Sequence, residues 1–178
     1  DAVSKFYGGE MVCAGLLYAP GVGGVYPGQP ATAYDEAFRL SIFDIGYARD
    51  LTALTAAMTA TALSPNCQPD SLWEVLRTID PHGFNKAASL ADGYKLFWKA
   101  QDFTHQARQI NREQAGYYLP PNFKGDTLQF YQMQKAFELL DAQNQDAPFH
   151  AGEIYLINLT ALWFSNLDFQ VAMEFVAN

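Results

Sequence analysis

Apolar side chains recur every three or four residues along most of the chain, which is the spacing of helices that bury one face. No stretch shows sustained alternation of apolar and polar positions, the pattern of a strand with one solvated face. The sequence therefore predicts an all-α fold. The predicted helices span residues 30 to about 46, 47–63, 72–80, 90 to about 112, 130–140, 151–164 and 169–176.

Helix-initiating residues precede several of these segments. Pro30 suits the first position of a helix, because its fixed φ is helical and its missing N–H would have no partner there. Asp70 or Ser71 is the predicted N-cap of the helix that follows it, and Asn166 or Asp168 is the predicted N-cap of the last helix.

Two segments rich in Gly and Pro, residues 21–30 and 116–126, lack apolar periodicity and are predicted loops. Gly8 and Gly9 argue against a continuous helix over residues 2–19. The helix over residues 47–63 is predicted to be central, because its many alanines allow neighbouring helices to approach closely.

Composition narrows the possible partners. The chain has 178 residues, a hydrophobic fraction of 49%, a charged fraction of 17% and a net charge of -8. This length favours one domain over residues 1–178. The acidic balance and the absence of a basic cluster argue against nucleic acid and anionic lipid as partners. No apolar run reaches the roughly 18 residues that span a bilayer, so we expect no membrane partner.

Known catalytic and metal-binding motifs are missing from the sequence. The glycine-rich stretch at residues 21–28 fits neither a dinucleotide fingerprint nor a phosphate-binding loop. His82, His105 and His150 share no metal-ligand spacing, which favours structural or solvated roles. Neither Asp-Asp nor Asp-x-Asp occurs, and no nucleophile motif is present. We therefore predict no catalytic residue and no metal ligand in this chain.

One polar cluster lies at the junction between the predicted helices over residues 30–46 and 47–63, and it consists of Asp44, Gly46, Tyr47, Arg49 and Asp50. The free N–H groups at a helix start favour an anionic ligand, while Tyr47 could stack and Arg49 or Asp50 could bind polar groups. The structural alternative is that Asp44 caps the helix and that Arg49 and Asp50 form a surface ion pair. On the residues alone, this structural interpretation is the better one.

Three stretches carry a resemblance to a known family: residues 8–19 (GGEMVCAGLLYA), residues 30–63 with their alanine-rich continuation, and residues 150–178. Their order and character resemble the ADP-ribosylglycohydrolase family. In that family the last helix runs through Val-Ala-Asn into a Gly- and Asp-rich metal motif of the type GGDTDT. Here the chain ends at Val176, Ala177 and Asn178.

The resemblance implies an orthogonal multi-helix bundle that is incomplete in this chain. It also implies a larger catalytic domain that hydrolyses ADP-ribose linkages with two Mg²⁺ ions, which act as Lewis acids and orient substrate. The family's Thr-Asp-Asp and Asp-x-Asp-Thr ligand sets would lie before Asp1 and after Asn178. We therefore expect this segment to be inactive alone and to bind no Mg²⁺.

The resemblance also suggests a ligand. We expect ADP-ribose, or an ADP-ribosylated substrate, to contact Asp44, Gly46, Tyr47 and Arg49. The alternative function is a non-catalytic helical scaffold or protein-binding module, with aromatic contacts at Tyr26 and residues 117–123. If the end helices normally pack on helices outside this chain, their uncovered apolar faces would favour self-association.

Overall fold

The computed structural model describes residues 12–81, 92–113, 116–143 and 150–177. These ranges contain eight α-helices and no β-strand beyond an isolated antiparallel bridge between Val12 and His150, which confirms the all-α prediction. The helices are α1 (Ala14–Val25), α2 (Pro30–Leu40), α3 (Tyr47–Ala62), α4 (Pro69–Thr78), α5 (Asp92–Arg108), α6 (Thr127–Asp141), α7 (Ala151–Ser165) and α8 (Phe169–Ala177).

The chain divides into two compact units. The first comprises residues 1–97 and 145–155, and the second comprises residues 98–144 and 156–178. None of the described helices is long and apolar enough to cross a membrane.

Helix α3 is the central element of the first unit, as its alanine-rich sequence predicts. Helices α1, α2 and α4 all contact it. Its alanines at positions 53, 56, 57 and 60 are fully buried, and so are Leu51 and Leu54. Small side chains at these positions allow the neighbouring helix axes to come close.

Helix α1 shows that the loop prediction for residues 21–30 was wrong in its first half. Gly15, Ala19 and Gly23 recur every four residues and are buried on one face of α1. A Cβ atom on Gly23 would lie 2.6 Å from Thr59 Cβ and would also overlap the Ala56 carbonyl. The glycines therefore mark the surface on which α1 approaches α3, and packing overrides their low helix propensity.

Several helix ends also differ from the sequence-based prediction. Helix α2 ends at Leu40 rather than near Gly46. At this end the Ser41 hydroxyl donates to the carbonyl oxygens of Ala37 and Phe38, at 2.8 and 3.1 Å. Helix α4 has Gln68 as its N-cap, so the capping prediction for Asp70 and Ser71 was wrong. Pro69 occupies the first helical position, which places both residues inside the first turn.

The later elements follow the prediction more closely. Of the two predicted N-caps of the last helix, Asn166 and Asp168, it is Asp168 that caps it, since its Oδ1 accepts a hydrogen bond from the Val171 N–H at 2.9 Å. Asp126 caps α6 in the same way, through the Leu128 N–H at 2.8 Å. Helix α5 ends at Arg108, four residues before the predicted end at Arg112, and no helix forms over residues 116–126.

The second unit has an aromatic core. Phe175 packs against Phe137 and Phe164, with ring centroids 4.7 and 5.4 Å apart. Arg108, at the end of α5, donates hydrogen bonds to the carbonyl oxygens of Trp163 and Phe164 at 3.2 and 3.0 Å. A guanidinium there satisfies carbonyl groups that have no partner within α7 and lies at the negative end of its dipole.

Candidate functional site

The predicted site residues lie at the junction between α2 and α3, where Asp44 makes hydrogen bonds to two helices. Asp44 is buried, with 6% of its surface exposed. Its Oδ1 accepts a hydrogen bond from the Gly15 N–H at 3.2 Å, and its Oδ2 accepts one from the Thr52 hydroxyl at 2.7 Å. Asp44 thus links α1, the junction and α3.

This arrangement shows that the expected capping role of Asp44 was wrong. The N-cap of α3 is Gly46, and no side chain caps this end. Gly46 has a φ of 57° and a ψ of -134°, a conformation that side chains with a Cβ atom rarely adopt. The turn before α3 therefore requires glycine.

The environment of Asp44 favours the neutral form of its carboxyl more than exposure to water would. Burial is the largest effect and raises the pKa of Asp44, while the hydrogen bonds from Thr52 and Gly15 and the charge of Arg49 oppose the shift. Burial and then the Asp44 charge raise the pKa of nearby Tyr18.

Tyr47 is held by a residue distant in sequence. Its hydroxyl lies 2.9 Å from Nε2 of His150, within hydrogen-bond distance, and the two rings meet edge to face at 5.8 Å. His150 is 7% exposed. A Cβ atom on Gly152 would lie 2.7 Å from the Tyr47 hydroxyl, so glycine leaves the space that this contact needs.

Arg49 turns towards α2 rather than towards its sequence neighbour. Its Nε donates a hydrogen bond to the Phe38 carbonyl at 2.5 Å, and its guanidinium lies 4.3 Å from the centroid of the Phe38 ring. Asp50 is 2% exposed and accepts a hydrogen bond from the Tyr34 hydroxyl. The expected Arg49–Asp50 surface pair is therefore wrong, because consecutive helical side chains point about 100° apart.

In comparisons with known proteins, no family model, curated protein or solved structure matches the chain. The junction itself is thus the basis for any functional assignment.

The four predicted site residues meet at one junction, but their contacts extend to different helices. Asp44 binds α1 and α3, Tyr47 contacts the residue preceding α7, and Arg49 binds α2. Sequence reasoning missed Thr52 and His150 as their partners. Thr52 lies eight positions from Asp44, and His150 lies 103 positions from Tyr47, so no local motif links them.

The described residues contain no group of three or more His, Cys, Asp or Glu side chains that could hold a metal ion. Both carboxylate oxygens of Asp44 already accept hydrogen bonds. Divalent Mg²⁺ needs several oxygen ligands around one point, and the junction does not provide them.

A separate cavity of about 710 Å³ is lined by the start of α2, the end of α3 and one side of α4. Its wall includes Thr61, Ser64, Cys67, Ser71 and Arg77. Helix α3 rises about 1.5 Å per residue, so its 16 residues place this cavity roughly 20 Å from the junction.

The aromatic loop residues of the alternative function differ in exposure. Phe123 packs on Phe130 at 5.0 Å, and Tyr117 packs on Tyr131 at 6.3 Å. Tyr26 is half-buried, whereas Tyr118 is 78% exposed. Tyr118 is therefore the residue of this group most accessible to a partner.

Proposed function

We propose that the chain is the central portion of an ADP-ribosylglycohydrolase-like hydrolase, which cleaves N- or O-glycosidic linkages of ADP-ribose. The observation that carries this proposal is the convergence of the three stretches that resemble the family. The Gly15–Asp44 hydrogen bond joins a residue of the first stretch to one of the second, and the Tyr47–His150 contact joins a residue of the second stretch to one of the third. Stretches far apart in sequence thus meet at the predicted substrate site.

In this proposal the helices belong to an incomplete orthogonal bundle, and the junction forms one wall of the substrate pocket. Gly46, Tyr47 and Arg49 are half-buried and would contact ADP-ribose. Asp44 is buried and doubly hydrogen-bonded, so its part is to position the junction. Two Mg²⁺ ions, held by residues outside this chain, would supply Lewis-acid chemistry in the complete protein.

The decisive experiment has two arms. In the first, ADP-ribose and Mg²⁺ are added to the chain and its melting temperature is recorded, since a ligand that binds the folded state raises it. In the second, the product of the complete gene is assayed with an ADP-ribosylated protein and Mg²⁺. We expect a rise in melting temperature and Mg²⁺-dependent release of ADP-ribose.

The matched variants are Tyr47→Ala and Tyr118→Ala, since Tyr47 lies at the junction and Tyr118 is an exposed loop residue. We expect Tyr47→Ala to lower turnover and Tyr118→Ala to leave it unchanged. The absence of both turnover and ADP-ribose binding would reject the proposal.

The alternative, a protein-binding helical module, is favoured by the exposed Tyr118 and by the exposed apolar side chains of α8. The gene distinguishes the two functions. An Asp-rich motif directly after Asn178 would favour the hydrolase, whereas a stop codon there would favour the module.

A further inference from the structure

Arg49 differs from the other arginines in how its guanidinium is used. The terminal amino groups of Arg39 and Arg77 pair with glutamates, at 3.0 and 2.6 Å. A terminal amino group of Arg108 donates hydrogen bonds to carbonyl oxygens of α7, and a terminal amino group of Arg112 lies 3.9 Å from Oδ1 of Asp126. The Arg49 terminal amino groups, in contrast, have no hydrogen-bond or ion-pair partner among the described residues.

The Arg49 guanidinium is nevertheless held in place. Its Nε donates to the Phe38 carbonyl at 2.5 Å, and its plane is positioned near the Phe38 ring at 4.3 Å. The charge of Arg49 acts to lower the pKa of Asp44, but the two side chains form no ion pair within 4 Å. The Asp44 oxygens instead accept from Gly15 and Thr52.

We propose that Arg49 binds the phosphate groups of the ligand, with its two terminal amino groups as a preformed fork. Arginine recognises phosphate oxygens with two parallel hydrogen bonds, and a guanidinium that is already oriented loses little entropy on binding. This inference rests on the proposed function for the identity of the ligand, a nucleoside diphosphate linked to ribose. The phosphate contact itself depends only on the Arg49 geometry.

The chain has a net charge of -8, which disfavours non-specific binding of anions over most of its surface. Binding of an anion can therefore be assigned to one site by substitution of Arg49. The alternative role for Arg49 is structural: its bond to Phe38 satisfies a carbonyl near the end of α2. The two roles predict different behaviour when charge is retained but the fork is lost.

The test measures binding of inorganic pyrophosphate and of ADP-ribose by calorimetry, for the wild-type chain and three variants. Arg49→Gln removes the charge, and Arg49→Lys retains the charge without the fork. Arg39→Gln is the matched control, because Arg39 is an exposed arginine with a glutamate partner on α2. Circular dichroism confirms that each variant is folded at the temperature used.

We expect Arg49→Gln to weaken both ligands by about 10- to 100-fold, since a charge-assisted hydrogen bond is lost. Arg49→Lys should fall between wild type and Arg49→Gln, and Arg39→Gln should bind like wild type. A structural role alone would instead lower the melting temperature of Arg49→Gln while leaving the affinity of its folded form unchanged, and that result would overturn the inference.

The outcomes separate this inference from the proposed function. If pyrophosphate binds through Arg49 and ADP-ribose does not bind, the phosphate site stands and the ADP-ribose assignment loses its support from this chain. If ADP-ribose binds wild type and Arg49→Gln equally, the assignment stands and the inference for Arg49 is overturned. If neither ligand binds the wild-type chain, the inference for Arg49 is overturned, and the turnover assay of the complete gene product decides the proposed function.

Discussion

The phenolic hydroxyl of Tyr34 donates a hydrogen bond to Oδ1 of Asp50 inside the first compact unit. Tyr34 is fully buried and Asp50 is 2% exposed. Burial raises the pKa of Asp50 to about 6; the Tyr34 hydrogen bond opposes this shift, and the negative charge of Asp80 adds to it. Burial and then the charge of Asp50 also raise the pKa of Tyr155, which approaches from α7.

This carboxyl should make stability depend on pH. Its folded-state pKa of about 6 lies above the value near 3.9 of an unfolded chain, so protonation favours the folded state. The stabilisation is fully present below about pH 4, declines as the pH rises towards 6, and is lost above that. We expect the free energy of unfolding to fall by on the order of 2–3 kcal/mol across this window because of Asp50 alone.

Asp50→Asn isolates this contribution, because an amide cannot ionise but can still accept from Tyr34. Urea unfolding at pH 4, 5, 6 and 7 should show that the difference between variant and wild type shifts in favour of the variant as the pH rises. Asp35→Asn, at an exposed position of α2, is the control and should show the same pH dependence as the wild type. A constant difference between Asp50→Asn and wild type would contradict this account.

Gly15 is expected to be intolerant of any side chain. A Cβ atom there would lie 2.7 Å from Thr52 Cγ2 and would overlap the Asp44 carboxylate. Gly15→Ala should therefore destabilise the chain by about 2–3 kcal/mol, as overpacking and loss of a buried hydrogen bond do. Chemical denaturation measures the effect.

Gly21→Ala provides the comparison in the same helix, since nothing lies within 4 Å of an added Cβ atom there. This substitution should stabilise the chain by about 0.5–1 kcal/mol, because alanine is the better helix former. If the two alanine variants had equal stability, the close approach of α1 to the junction would be disproved.

The contact between Tyr47 and His150 should contribute to stability as a unit. Tyr47→Phe removes the hydroxyl and leaves the buried imidazole without this partner, at a cost of about 1–2 kcal/mol. Gly152→Ala should cost a similar amount by displacing the Tyr47 hydroxyl. The combined variant should lose less than the sum, because both changes break one interaction.

Urea titrations of these three variants measure the coupling, and Tyr118→Phe serves as the control on an exposed tyrosine. Strict additivity of Tyr47→Phe and Gly152→Ala would show that the two residues act independently.

Helix α8 should promote self-association of this chain. Phe169, Met173 and Val176 are spaced by four and three residues on one face and are 78%, 50% and 44% exposed. Exposed apolar side chains that share a face favour association with another apolar surface. We expect light scattering to show a mass that rises with concentration, and Met173→Glu to reduce the effect.

The control for this substitution is Gln170→Ser, which changes a polar residue of the same helix whose amide bonds to Glu174. A wild-type chain that remains monomeric at high concentration would contradict the prediction.

The sequence predicted much of the helical framework because apolar periodicity is a local property. The start of α2 at Pro30, the central α3 and the apolar α7 all follow from spacing and composition within one segment. The cap at Asp168 was predicted for the same reason, since a capping side chain bonds to a backbone group three residues away.

The path of α1 through Gly21 and Gly23 depended on tertiary structure. Glycine by itself favours a loop, and the close approach of Gly23 to Ala56 and Thr59 of α3 provides the reason for a helix there. The sequence alone therefore placed a loop where close packing stabilises a helix.

The candidate site shows the same division. The sequence identified Asp44, Gly46, Tyr47 and Arg49 as a polar cluster, because they are neighbours along the chain. Their partners were decided by tertiary structure: helix rotation directs Asp50 inward to Tyr34 while Arg49 turns to Phe38, and folding brings His150 to Tyr47 across 103 positions. The sequence shows which residue types are neighbours along the chain. The direction of each side chain and its contacts with distant residues depend on how the helices pack.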